Sequence, residues 1–197
     1  MSVAVLPPLG TNTPPPRAHR YTREQYARLG AAGFFTEKRF ELIRGEIIDM
    51  GKEGPRHFAA FVLALKVIEA AFGPGHVARP AGPIALDDSE PQPDVSIVRG
   101  TPRDFTAAHP ATVLFALEIA ETSLSYDLTT KAELYATAGI PEYWVLDLDG
   151  RVLHVFRNPQ PNAALGVTTY HTKTTHAATE TVTPLGANAV KVSDLLP

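Results

Sequence analysis

The chain has 197 residues, enough for one well-packed domain and short for two independent cores; its 44% hydrophobic and 20% charged residues exclude a largely disordered or fibrous chain. It contains no cysteine, which excludes disulfide staples and thiolate metal sites. It also has no run near the ~18 uninterrupted apolar residues of a membrane span and no export signal, so a cytoplasmic location is expected.

The net charge of −3 argues mildly against a general nucleic-acid-binding surface, yet the charge is uneven. Residues 1–66 carry ten Lys and Arg against six Asp and Glu, whereas residues 67–197 carry eight against fifteen. A basic first third can meet phosphates, and an acidic remainder can hold cations; ordinary surface charge gives the same split.

Residues 1–19, with prolines at 7, 8 and 14–16, read as a flexible leader outside the fold, and residues 20–197 as a single domain. Thr22 to Leu29 predicts a short helix with a capping Thr, stopped by Gly30 or Gly33. Arg39 to Ile43 and Glu46 to Met50, separated by Arg44-Gly45, predict a β-hairpin. Arg56 to Phe72, free of Gly and Pro and apolar on most sides, predicts a buried helix ended by Gly73. Val77 to Leu86, broken by Pro80, Gly82 and Pro83, allows only short edge strands.

Asp94 to Val98 alternates, with Val95 and Ile97 on one face. Val113 to Ile119 is apolar apart from Glu118, the pattern of a central strand covered on both faces. Asp127 to Ala138 predicts a helix closed by Gly139. Tyr143 to Leu148 and Val152 to Phe156 flank an Asp149-Gly150 turn. From about residue 158 the chain is expected to be irregular, with edge strands at Gly166 to Thr172 and Glu180 to Thr183.

Two carboxylates stand where burial makes them costly. Glu118 interrupts a buried strand and requires a partner, for which a cation qualifies. Asp94 opens the neighbouring strand after Pro-Gln-Pro, so pairing of the strand ends can bring the two carboxylates together. Two hard oxygen ligands suit Mg²⁺ or Mn²⁺ better than Zn²⁺. At about 100° per residue, Lys131 falls within the packing stripe of Leu128, Ala132, Tyr135 and Ala138, whereas Glu133 and Thr137 lie outside it. The same residues fit a structural reading, in which Glu118 and Lys131 form a buried ion pair and Asp94 caps backbone amides at a strand end. Spacing alone does not choose between the two.

The stretches YTREQYARL from Tyr21, FELIRGEIIDM from Phe40, EPQPDVSIV from Glu90 and ALEIAETSLSYDLTTKAELYATAGIPEYWVLD from Ala116, in this order, resemble the Uma2 family (DUF820), a branch of the PD-(D/E)xK restriction-endonuclease-like superfamily. The resemblance spans roughly Tyr21 to Arg157. It implies a mixed α/β fold, a central mixed sheet flanked by helices with extra β-hairpins. It further implies Asp94 and Glu118 as Mg²⁺ ligands and an endonuclease acting on DNA. The superfamily's simplest pattern has lysine two residues after the second acid, where this chain has Ala120; the resemblance implies that the lysine has moved to the following helix as Lys131, there to assist the attacking water.

Glu41 matches an acidic position of the family and reads either as a further catalytic group or as a strand residue paired with Arg39 or Arg44. His57 matches a family position and reads more readily as a helix-end or packing histidine than as a base. Gln92, Ser123, Asp127 and Tyr135 are accounted for by local capping or packing. Arg20, Arg23, Lys38, Arg39 and Arg56, with His57, are candidate contacts to the nucleic-acid backbone. Cutting a duplex with one site per chain makes a homodimer an expected arrangement. Two rival readings are a module with the same fold that binds nucleic acid or assembles without turnover, and a metal-dependent hydrolase of small phosphate esters.

Overall fold

A computed structural model of the protein describes residues 16–36 and 39–197; the expected leader, apart from its last residues, and Lys38 lie outside the described residues. Six strands form the central sheet: β3 (His76–Pro80), β4 (Val95–Arg99), β5 (Phe115–Ala120), β6 (Glu142–Asp147), β7 (Val152–Asn162) and β8 (Val167–Ala177), in that spatial order. All neighbours are antiparallel except β5 and β6, which are parallel, so the sheet is mixed. A parallel pair needs a crossover, and the helical segment Leu124–Thr137 between β5 and β6 supplies it.

Helix α1 (Arg23–Ala31) starts where its sequence directs: Thr22 and Gln25 form a reciprocal capping box. Strands β1 (Phe40–Ile43) and β2 (Glu46–Asp49) pair around Arg44 and Gly45, both at positive φ, the backbone that a two-residue hairpin turn requires. Among the described residues no helix is long and apolar enough to cross a membrane.

The core lies on both faces of the sheet, which is why β5 and β6 are buried along their whole length. On one face, Phe115, Leu117 and Ile119 of β5 pack with Val95, Ile97 and Trp144 against the Ala60, Ala64 and Ile68 stripe of α2 (Pro55–Phe72). On the other face, Ala116 and Ala120 lie with Tyr143 and Val145 beneath Ala132, Tyr135 and Ala136 of the crossover. Glu118 shares that second face with two alanines, and their small side chains let the crossover helix approach it.

Two expectations change. Helix α2 buries one stripe only; Phe58 and Leu63 on its outer side are 61% and 36% exposed, because the helix covers the sheet and nothing among the described residues covers the helix. The hairpin expected around Asp149-Gly150 is present, with Asp147 paired to Val152. Asp147 Oδ1 accepts from the amides of both Asp149 and Gly150, and Arg151, not Gly150, has the positive φ. Gly150 is needed for closeness: a Cβ there would stand 2.4 Å from Asp147 Oδ2. Finally, the chain from residue 158 to Ala177 is regular, while the edge strands expected at Gly166 to Thr172 and Glu180 to Thr183 are found as part of β8 and as the short strand Thr181–Val182. Strands β7 and β8 run eleven residues each and pair from Val152↔Ala177 to Asn162↔Val167, since the threonines of β8 favour strand and the two prolines of β7 are accommodated in the ladder's outer half.

Phe115, fully buried between Phe72 and Trp144, joins α2 to the centre of the sheet. Phe115→Ala should lower stability by roughly 3–5 kcal/mol in urea unfolding; a loss below about 1 kcal/mol would contradict this packing.

Candidate active site

The site forms where β4 ends against β5. Val95 pairs with Leu117, so the residue before Val95 faces Glu118, and there the ladder between β4 and β5 stops. The amide of Ile119 would be left without a strand partner on that side; it donates instead to Asp94 Oδ2 at 2.7 Å. Asp94 therefore does cap a strand end with one oxygen. Its other oxygen, Oδ1, accepts no hydrogen bond among the described residues.

Glu118 follows the same division. Its Oε1 accepts from Lys131 Nζ at 3.0 Å and from Tyr135 Oη at 2.8 Å, while Oε2 has no donor among the described residues. Lys131 also donates to Glu41 Oε2 at 2.5 Å and is wholly buried. The inward turn expected for Lys131 is present, but through a local change of helix. Residues Asp127–Lys131 form a π-helical turn between the short helix α3 (Leu124–Tyr126) and α4 (Ala132–Thr137). Extra width in that turn carries both Asp127 and Lys131 to the buried side.

Glu41 reaches this cluster from β1. The expected alternatives, pairing with Arg39 or Arg44, are not found: Arg39 pairs with Glu53, Arg44 with Glu133, and Glu41 with Lys131. Its Oε1 is buried without a partner.

A cavity of about 60 Å³, large enough to hold water, lies beside these groups. Glu53, Asp94, Glu118, Glu121 and Asp127 line it with Arg39, Lys52 and His57, whereas Lys131 does not. His57, in the first turn of α2, places Nε2 3.4 Å from Asp94 Oδ2 and Nδ1 3.6 Å from Glu53 Oε2. A larger depression of about 490 Å³, between α4 and the β7–β8 turn, has the Arg44 and Glu133 pair on its wall but no carboxylate cluster.

The electrostatics follow from the count of charges. Glu41, Asp94, Glu118 and Asp127 are buried around one buried ammonium. Burial pushes the Glu118 carboxyl up to about 8 against the pull of Lys131, with Asp94, Asp127 and Glu41 adding repulsion. Burial likewise raises Asp127 to about 6, although the Ser123 hydroxyl donates to its Oδ2 and opposes the rise. Burial alone would lower Lys131, but Glu118 and Glu41 more than offset it and hold the ammonium charged above the ordinary lysine range.

Of the residues expected from sequence, Asp94, Glu118, Lys131 and Glu41 are brought together; His57 and Arg39 join them at the cavity. Arg20 pairs with Glu46, Arg23 with Glu90, and Arg56 with Asp149, all away from the cavity wall. Asp127 and Tyr135, assigned above to capping and packing, belong to the cluster, and Glu53 and Lys52 were missed. A signal existed for two of them: Asp127 and Tyr135 stand four residues either side of Lys131, a spacing that brings side chains together on a helix, whereas Glu53 precedes α2 and had none.

Residues 23–189 match Uma2, a family described as "Putative restriction endonuclease". The chain belongs to the Uma2 family. Among solved structures, a "putative nuclease belonging to DUF820" from Anabaena variabilis superposes with a TM-score of 0.68 at 21% identity, covering 88% of this chain and 96% of that one, and so shares the fold. No curated protein matches the chain. The family supports nuclease function, and a nuclease implies a nucleic-acid substrate.

Because Glu118 and Asp127 bind protons more tightly folded than unfolded, they stabilise the fold below the ordinary carboxylate range, and that stability is lost as pH rises through about 6 and about 8. In metal-free protein the melting temperature should fall between pH 5 and pH 9, and Glu118→Gln should flatten the fall above pH 6. An unchanged slope in that variant would refute the assignment.

Proposed function

We propose that this protein is a divalent-cation-dependent endonuclease that hydrolyses DNA phosphodiester bonds, with Asp94 and Glu118 as cation ligands. The observation that carries this reading is the division of labour within each carboxylate: one oxygen is fixed by the protein, and the other has no protein donor beside a shared cavity. The donor set is hard oxygen without thiolate, which fits Mg²⁺ or Mn²⁺. A cation bound there would polarise a phosphate oxygen and lower the pKa of a bound water.

The protein's own groups have distinct tasks in this reading. Lys131 is sealed away from the cavity wall, so it acts as a positioning residue rather than on the attacking water: with Tyr135 it holds Glu118 in place, and through Glu41 it ties β1 to the cluster. Lys52 and Arg39 lie at the cavity and are suited to hold a phosphate backbone, contacts that give salt-sensitive affinity.

With supercoiled plasmid and Mg²⁺ or Mn²⁺, wild-type protein should nick DNA and EDTA should stop it. Asp94→Asn and Glu118→Gln should each slow cleavage by more than about 100-fold, and Tyr135→Phe by about 10- to 100-fold, as expected for a residue that orients a ligand. Cleavage that survives EDTA, or that both ligand substitutions leave intact, would overturn the proposal.

A further inference from the structure

Neither ring nitrogen of His57 makes a hydrogen bond among the described residues, although the residue is 6% exposed and lines the cavity; Nδ1 is sealed from solvent altogether. A packing histidine of that burial ordinarily satisfies at least one nitrogen. Here two carboxylates flank the ring at ion-pair distance without a well-directed hydrogen bond, Asp94 Oδ2 3.4 Å from Nε2 and Glu53 Oε2 3.6 Å from Nδ1. One ligand atom from each of Glu53, His57 and Asp94 can be chosen so that all three lie within 4.8 Å of one another.

These separations fit a shared ion better than a bridging water. Two ligands about 2.1 Å from one ion, at octahedral to tetrahedral angles, stand roughly 3.0–3.4 Å apart. A water hydrogen-bonded to both would hold them farther apart, at roughly 4.5–5.5 Å. The Asp94 and His57 pair is at the ion-sharing distance, and Glu53, partly exposed at the rim, offers the third ligand atom on exchanging its pairing with Arg39 for the ion.

We infer that Glu53, His57 and Asp94 form a second divalent-cation site, in which His57 Nε2 is a ligand and Asp94 adjoins the site it shares with Glu118. Imidazole selects borderline cations, so this site takes Mn²⁺ in preference to Mg²⁺. The N-terminus of α2, Arg39 and Lys52 oppose a cation there, and Glu53, Asp94, Glu118, Glu121 and Asp127, all lining the same cavity, attract it. The inference rests on the nuclease reading only through Asp94.

The test is electron paramagnetic resonance of the full chain with Mn²⁺, counting bound ions and recording ¹⁴N modulation of the electron-spin echo. Wild type should bind two Mn²⁺ per chain, one of them nitrogen-coupled. His57→Phe, with His57→Gln as a second variant should the first not fold, should bind one Mn²⁺ and lose the nitrogen signal. Glu53→Gln should weaken the nitrogen-coupled ion by about 10-fold, and Glu118→Gln should lose the other ion while keeping the nitrogen-coupled one. Absence of bound Mn²⁺, bound Mn²⁺ without ¹⁴N coupling in wild type, or coupling that persists in the His57 variants would overturn the site. A nitrogen-coupled ion in a protein that cuts no DNA would leave this site standing and defeat the nuclease reading; cation-dependent cutting without nitrogen coupling would do the reverse.

Discussion

One buried ammonium faces more buried carboxylates than it can neutralise. Lys131 is bonded to Glu41 and Glu118, while Asp94 and Asp127 lie close enough to raise the cost of ionising their neighbours. In a low-dielectric interior such a surplus is relieved by taking up protons or by admitting a cation. A purely structural ion pair would need one acid for one base. The additional acids, together with oxygens left without donors among the described residues, go beyond a single ion pair, and the proposed cation accounts for them.

The fold delivers the surplus by ending regular structure in particular places. Strand β4 stops opposite Glu118, so Asp94 takes over the amide that the next ladder bond would have used. Alanines on either side of Glu118 admit the crossover helix, and the π-turn rotates Asp127 and Lys131 together toward the sheet. Helix α2 crosses the other face and brings its first turn, with His57, to the same edge. The alternatives raised by the residues alone, a cap for Asp94 and an ion pair for Glu118, are both present and serve to hold one oxygen of each carboxylate while the other stays open.

The parts legible in the sequence were those dictated locally or by burial cost. The Arg44-Gly45 hairpin follows from two residues that adopt positive φ, and Glu118 was conspicuous because a charge within FALEIA has no water to turn to. Lys131 was placed inward by helical phase, and its partners Glu118 and Glu41 come from segments 13 and 90 residues away. What escaped depends on contacts that no local pattern encodes. Tyr135 looked like an ordinary core aromatic, Asp127 like a helix-starting residue, and the π-turn that joins them to the site has no composition of its own. The outer face of α2 read as buried because apolar content does not say which side a sheet will cover, and the tail read as irregular because its prolines hid a threonine-rich ladder.

The most direct measurement is a crystal structure of the protein grown with Mn²⁺, with anomalous diffraction used to locate the ion. The account predicts an anomalous peak in the cavity touching Asp94 and Glu118 on the oxygens that have no protein donor, absent in crystals of Glu118→Gln. No peak between Asp94 and Glu118 in wild type, or a peak at that position that Glu118→Gln leaves unchanged, would contradict it.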